Sequence, residues 1–146
     1  MPTTNHPPNS AGQLELELPA RPSSVASARH AVEDFCAGEV LDRQAVAIAV
    51  SEAVTNVVMH AYPAGVDGRV RLVATLQGTS LVITVADRGR GMTARPQRPG
   101  LGAGLDLIAR LSNGVEIDDR SSGTTVTMRF DLGPADVKRF ADRRPA

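Results

Sequence analysis

A carboxylate and an amide lie four residues apart in a stretch with helical periodicity. Glu52 and Asn56 are i and i+4 within the segment Ser51–Tyr62, so on a helix they project side by side. A carboxylate can act as a general base, and an amide oxygen suits a hard cation such as Mg²⁺. The same pair also fits an ordinary half-buried surface helix, and this segment alone does not decide between the two.

The helix that would position this pair has an unusual polar face. Helical periodicity places its apolar residues together on one side: Val46, Val50, Ala53, Val54 and Val57. The opposite side has a single charge: Ser51, Glu52, Thr55, Asn56 and Met59. A solvated face usually has several charges, so this side is interpreted as the wall of a cleft. Asp42 is predicted to cap the helix, which should run to about Ala61.

Two glycine-rich segments lie between a predicted strand and a predicted helix. Asp87-Arg88-Gly89-Arg90-Gly91 follows the strand, and Gly100–Leu105 leads into a helix over Asp106–Leu111, with no regular structure expected from Asp87 to Gly104. Glycines at a helix entry let backbone N–H groups approach a phosphate, and the arginines between the segments can chelate its oxygens. Asp87 can accept a hydrogen bond from an amine such as that of adenine.

These glycines also fit other kinds of structure. A surface loop whose glycines form turns remains open, because one glycine-rich segment is weak evidence. A Rossmann unit is excluded by the spacing and the surrounding strands. A Walker A loop is excluded because no Gly-Lys-Ser/Thr occurs.

The remaining elements alternate between apolar and polar residues, as strands do. Strands are predicted over Leu14–Leu18, Gly68–Leu76, Ser80–Ala86, Val115–Asp118 and Thr124–Phe130. A first helix opens at Pro22 with Ser23 or Ser24 as its cap. Alternation in every strand predicts a sheet covered by helices on one face only, a two-layer α+β sandwich. Residues 14–132 form the predicted domain, between a disordered tail over 1–13 and a polar tail over 133–146.

Composition excludes several classes of function. The chain has 146 residues and 16 basic against 16 acidic side chains, so neither nucleic acid nor a membrane surface is an expected partner. Cys36 is the only cysteine, which excludes an intrachain disulfide and a cysteine-cluster metal site. No apolar run approaches the roughly 20 residues of a membrane span, and no signal peptide is evident. A soluble cytoplasmic protein is expected.

The motifs together resemble one superfamily. Glu52…Asn56, Asp87-x-Gly89-x-Gly91, Gly100-x-Gly102-x-Gly104 and a Gly123-Thr124-Thr125 turn follow one another in the order of the Bergerat-fold, or histidine-kinase-like (GHKL), ATPases. Ser51–Asn56 followed by His60-Ala61-Tyr62 resembles the anti-sigma-factor serine/threonine-protein kinases of bacterial partner switching. The resemblance covers about residues 14 to 132 and implies a mixed, mostly antiparallel sheet with helices on one face.

That resemblance implies a role for each motif residue. Asn56 would ligate Mg²⁺, Glu52 would be the catalytic base, and Asp87 would bind the adenine amine of ATP. Thr125 would line the adenine pocket, directly or through water, and Gly102 and Gly104 would wrap the phosphates as part of a mobile lid. The rest of the expected ATP-binding set is Gly89, Gly91, Met92, Gly100, Leu101 and Leu105. The implied reaction moves the γ-phosphoryl group of ATP to a Ser or Thr of a protein antagonist.

The resemblance also implies partners, and it leaves alternatives. A kinase of this family binds a sigma factor, phosphorylates an anti-anti-sigma antagonist of the STAS type, and forms a homodimer. The alternative is a nucleotide-gated adaptor without kinase activity, although an adaptor does not need a base at Glu52. A catalytic fragment of a sensor histidine kinase would need a phosphoacceptor histidine on a dimerisation helix. His30 lies on the first helix, but no second long helix pairs with it before the ATPase core.

Overall fold

The chain folds into one antiparallel sheet with helices on one face. The computed structural model describes residues 12–39, 41–91 and 101–131, with only the backbone of 101–103. Its elements are β1 (Gln13–Pro19), α1 (Pro22–Phe35), α2 (Arg43–Asn56), β2 (Arg69–Gln77), β3 (Ser80–Asp87), α3 (Leu101–Leu111), β4 (Gly114–Arg120) and β5 (Gly123–Asp131). The strand order is β1-β2-β3-β5-β4, and all four pairings are antiparallel. The predicted two-layer α+β sandwich is confirmed.

Strand alternation produces the core between the two layers. In β3, Leu81, Ile83 and Val85 are buried beneath the helices, while the residues between them point to the uncovered face. The partners Val126 and Met128 of β5 stand opposite Val85 and Ile83 and share their face. Helix α2 closes this core from above through buried alanines and valines: Ala45, Val46, Ala49, Val50, Ala53 and Val54.

The predicted cap at the start of α2 is present, and the one predicted at the start of α1 is not. The Ala45 N–H donates to Asp42 Oδ1 at 3.1 Å, so the predicted cap of α2 is confirmed. The cap predicted for Ser23 or Ser24 is wrong, because α1 begins at Pro22 after Arg21 with no side-chain cap. Proline at the first position has no N–H to satisfy, and the Ser24 hydroxyl instead donates to the Pro19 carbonyl.

Two helices differ from the predicted extents. Helix α2 ends at Asn56, and the chain continues as a π-helical turn over Val57–Ala61, here called the π-turn. Helix α3 begins at Leu101, so the expectation of no regular structure up to Gly104 was wrong. Glycine has poor helix propensity, but packing of α3 against α2 overrides it.

Nearly all of both predicted tails lies outside the described residues, except that Gln13 opens β1. None of the described helices has the length and apolarity needed to cross a membrane.

Candidate functional site

Glu52 and Asn56 lie side by side on α2, and the first turn of α3 packs against them. Both side chains are half-buried. A β-carbon at Gly104 would lie 3.1 Å from Glu52 Oε2 and 3.5 Å from both the amide nitrogen and oxygen of Asn56. Such a contact is tighter than most that real β-carbons make, so the absence of a side chain at Gly104 helps the α3 backbone to come this close. The structure therefore brings the glycine motif of α3 to the carboxylate–amide pair, as the resemblance implied.

Asp87 ends β3 with its carboxylate turned toward the helical layer. The residue is 8% exposed. Its Oδ1 accepts hydrogen bonds from the Gly89 N–H at 2.9 Å and the Thr124 N–H at 3.3 Å. These two donors come from different elements, so they fix the direction of the carboxylate. A buried carboxylate needs such partners, and here the partners orient it toward α2.

A narrow cavity joins Asp87 to Asn56. Its walls come from α2, the π-turn, α3 and the buried face of the sheet: Ala53, Asn56, Val57, Val85, Asp87, Leu105, Thr124 and Val126. Apolar walls with one carboxylate suit a flat heteroaromatic ring that carries an amine. The cavity encloses about 10 Å³, whereas pockets that hold small molecules span roughly 300–1,000 Å³. A ligand would therefore enter only if the cavity widened.

The loop after Asp87 is held at both sides. The Arg90 N–H donates to the Ala61 carbonyl at 3.0 Å, which ties the loop to the end of the π-turn. Gly91 has a φ of +74° and packs against the Arg120 carbonyl, a combination that requires glycine. Single π-turns inside helices often occur at functional sites, and this one directly follows Asn56.

Thr125 does not reach the cavity. It stands opposite Ala86 in the β3–β5 pairing, on the uncovered face of the sheet. Thr124, which is 4% exposed, takes the position predicted for Thr125 beside Asp87. The reason is the period of two residues in a strand, because a shift by one residue moves a side chain to the opposite face. The sequence motif Gly123-Thr124-Thr125 left the two threonines indistinguishable.

The other predicted site residues lie in the cavity, in the first turn of α3 or outside the described residues. Leu105 lines the cavity, and Leu101 and Gly102 belong to the first turn of α3. Met92 and Gly100 lie outside the described residues. The sequence missed the apolar walls as a binding surface and predicted Ala53, Val57, Val85 and Val126 only as core, because core and pocket wall have the same periodicity.

Within the described ranges, no group of three or more His, Cys, Asp and Glu side chains could hold a metal ion. Asn56 offers one amide oxygen to the cavity, and oxygen ligands are those that Mg²⁺ prefers. This residue therefore fits as one ligand of a metal that takes further ligands from a bound molecule.

Comparison with known proteins gives consistent matches. Residues 18–130 match the family model described as a histidine kinase-like ATPase domain. An anti-sigma F factor of Clostridium beijerinckii is 30% identical over 82% of this chain and 94% of its own length. A serine-protein kinase RsbW of Bacillus pumilus is 32% identical over 79% and 83% of the two chains. The solved RsbU and RsbW domains of a Mycobacterium tuberculosis protein superpose with a TM-score of 0.67 and 26% identity, over 82% of this chain and 32% of that longer one.

Proposed function

The chain belongs to the histidine kinase-like ATPase family, among the anti-sigma-factor serine/threonine-protein kinases, and we propose that it transfers the γ-phosphoryl group of ATP to a protein antagonist. It is an ATP-dependent protein kinase of a partner-switching system. In this proposal it holds a sigma factor inactive and phosphorylates a serine or threonine of a STAS-type anti-anti-sigma protein.

One observation carries the proposal. Asn56 lines the cavity with Glu52 and Gly104 beside it, and Asp87 and Thr124 line the same cavity from the sheet. In this proposal Asp87 recognises the base, the Glu52–Asn56 pair faces the phosphates, and apolar walls lie between them. A nucleotide has the same order of groups, with a flat base at one end and phosphates at the other.

The chain's own residues would bind ATP and orient it. The Asp87 carboxylate, held by two backbone N–H groups, would accept a hydrogen bond from the adenine amine. The apolar walls would exclude water from both faces of the base. The first turn of α3, with N–H groups that have no partner within the helix, would face the phosphates.

Glu52 and Asn56 would act on the phosphoryl acceptor and the metal. We assign Glu52 as the general base that takes the proton from the acceptor hydroxyl. The Asn56 side-chain oxygen would ligate Mg²⁺. When bound, Mg²⁺ would neutralise charge on the phosphates, and positioning would supply most of the remaining catalysis.

The finer aspects of partnership are also proposals. Binding of a sigma factor and of its antagonist is inferred from relatives named anti-sigma F factor and serine-protein kinase. A homodimer and a cytoplasmic location complete the proposal, as the family resemblance implies. In this proposal the face of the sheet opposite the described helices contacts a second protein.

The direct test is phosphoryl transfer in vitro. Purified protein, labelled ATP, Mg²⁺ and a candidate antagonist should give labelled antagonist. Glu52→Gln should still bind ATP but transfer at least about 100-fold more slowly, because a positioned base contributes that much. Glu116→Gln, an exposed glutamate on β4, is the matched control and should transfer normally. ATP binding without any label on the antagonist would favour the adaptor function and exclude the kinase.

A further inference from the structure

A second pocket lies on the opposite side of the Asp87 loop from the nucleotide cavity. It has a volume of about 580 Å³ and is formed by the segment after the π-turn and by the adjoining ends of β1, β2 and β3. This volume falls in the range of roughly 300–1,000 Å³ that ligand pockets span. Four of its lining residues are arginines: Arg69, Arg71, Arg88 and Arg90. It is called the arginine pocket below.

Two of these arginines have charge available for a partner. Arg69 pairs with Glu17 at 3.6 Å, and Arg71 pairs with Glu15. Neither the Arg88 nor the Arg90 guanidinium has a carboxylate partner among the described residues. Arg88 is exposed, and Arg90 is half-buried. Three carboxylates also line the pocket: Glu17 pairs with Arg69, Asp87 is buried, and Asp67 is exposed. Arg88 and Arg90 are therefore the two cations with which an entering molecule can pair.

Arg90 carries a further sign of a missing acceptor. Its Nε is buried and has no hydrogen-bond partner among the described residues. Leaving a buried donor unpaired is unfavourable, and more so in a charged group. An acceptor on a bound molecule would satisfy it after a turn of the Arg90 side chain, because the Nε is closed to solvent in this structure. A carboxylate fits best, because guanidinium groups bind carboxylates through two parallel hydrogen bonds.

The other wall of the pocket is mainly apolar. Tyr62, Pro63 and Val66 form it, and Val66 is 53% exposed. The Tyr62 hydroxyl donates to the Arg69 carbonyl and accepts from the Arg88 N–H at 2.9 Å, so the ring is fixed between two strands. An inorganic anion would use the arginines and leave this wall exposed. A peptide with acidic side chains beside an apolar one would cover both.

We propose that the arginine pocket binds an acidic segment of a protein partner, with carboxylates on Arg88 and Arg90 and an apolar side chain against Tyr62, Pro63 and Val66. This proposal rests on the proposed function in one respect only, which is that the bound molecule is taken to be part of a protein. The same loop orients Asp87 through the Gly89 N–H and joins the π-turn through the Arg90 N–H. A segment bound at Arg88 and Arg90 thus engages the loop that would recognise adenine.

The test uses two labelled peptides and three versions of the full chain. The probe is fluorescein-labelled Gly-Glu-Glu-Leu-Glu-Phe-Gly, and its control has Gln for every Glu. The double variant Arg88→Gln/Arg90→Met removes both charges while methionine keeps the aliphatic stem of Arg90. Arg110→Gln, an exposed arginine on α3, is the matched control. Binding is followed by fluorescence anisotropy, and ATP binding by calorimetry on the same samples.

The acidic peptide should bind the unaltered chain at least about tenfold more tightly than its Gln control, a difference of about 1.4 kcal/mol. The double variant should lose that preference and keep its thermal stability, while Arg110→Gln should keep it. Equal binding of both peptides, full binding by the double variant, or displacement by an equal concentration of pyrophosphate would overturn the proposal. If the peptide fails while ATP still binds, the pocket proposal falls and the nucleotide function stands.

Discussion

The α-carbon of Gly104 faces Glu52 so closely that a β-carbon there would lie 3.1 Å from the Glu52 Oε2. The first turn of α3 and the polar face of α2 are therefore in contact. A wider Asp87–Asn56 cavity would be needed for ATP, with Gly104 still beside Glu52. Because Gly104 has no side chain, α3 can pack against α2 without displacing the Glu52 carboxylate.

Replacement of Gly104 by alanine should keep or raise the stability of the protein while it lowers phosphoryl transfer. Alanine in a helix is more favourable than glycine by roughly 0.5–1 kcal/mol, so Gly104→Ala should unfold at equal or higher denaturant concentration. Its methyl group would press on Glu52, and phosphoryl transfer should fall about tenfold or more because of misplacement of the base. Gly114→Ala is the control, because its β-carbon would meet Arg129 no closer than 3.5 Å. Unchanged transfer in Gly104→Ala would contradict this role for the contact.

Asn56→Ala should abolish the effect of Mg²⁺ on ATP binding. Loss of the amide oxygen removes the only protein ligand proposed for the metal, so affinity in Mg²⁺ should fall by about tenfold, or about 1.4 kcal/mol. Affinity in EDTA should stay the same. Ser51→Ala is the control, because the Ser51 hydroxyl donates to the Ala47 carbonyl at 2.8 Å and has no role in the cavity. If Asn56→Ala and the unaltered protein gain equally from Mg²⁺ in titration calorimetry, Asn56 is not a ligand.

The two adjacent threonines provide a test of the strand register. Thr124→Ala removes a cavity wall and the hydrogen bond from Thr124 Oγ1 to Asp119 Oδ1 at 3.0 Å, so it should cost about 0.5–1.5 kcal/mol of stability and weaken ATP binding. Thr125→Ala changes the opposite face of the sheet and should leave ATP affinity unchanged. Affinity for a fluorescent ATP analogue would distinguish them. The reverse order of effects would place Thr125, not Thr124, in the cavity.

Cys36 should make stability sensitive to alkaline pH. The pKa of its thiol is raised from 9.0 to about 11, mainly by burial and to a smaller extent by the Glu39 carboxylate, while Arg43 acts in the opposite direction. Because the folded pKa is higher than the unfolded one, the stabilisation is complete below pH 9.0 and is lost as pH rises through about 11. Urea unfolding should therefore show a smaller alkaline loss in Cys36→Ala than in the unaltered chain. Parallel losses in the two proteins would show that another group is responsible.

Most of the fold follows from patterns that the sequence displays directly. Alternation in Leu81, Ile83 and Val85 placed β3 and its buried face correctly, and Asp42 identified the start of α2. The start of α3 was missed because Gly102 and Gly104 have low helix propensity, while contact with Glu52 stabilises the helix there. The π-turn has no sequence signature, since nothing in Val57–Ala61 distinguishes it from a continuing α-helix.

The site could be predicted in its residue types but not in its register. Glu52 and Asn56 share a helix face by simple geometry, and they lie together in the structure. Thr124 and Thr125 differ only in the face of β5 to which they point. That face is set by the pairing of β5 with β3, whose residues lie at least 37 positions earlier in the chain, as Asp87 does relative to Thr124. Arg88 and Arg90 could not be assigned from the motif, because the arginine pocket is built from three strands and the segment after the π-turn.

Calorimetric titration of Mg²⁺–ATP into the unaltered chain and into Asp87→Asn tests whether a nucleotide binds between α2 and α3 with its base at Asp87. Asparagine can still accept from the Gly89 and Thr124 N–H groups, but its amide would set a donor against the adenine amine. We expect saturable heat for the unaltered protein and none for Asp87→Asn at the same concentration. No heat from the unaltered protein at millimolar nucleotide, or equal heat from both, would contradict nucleotide binding at this cavity.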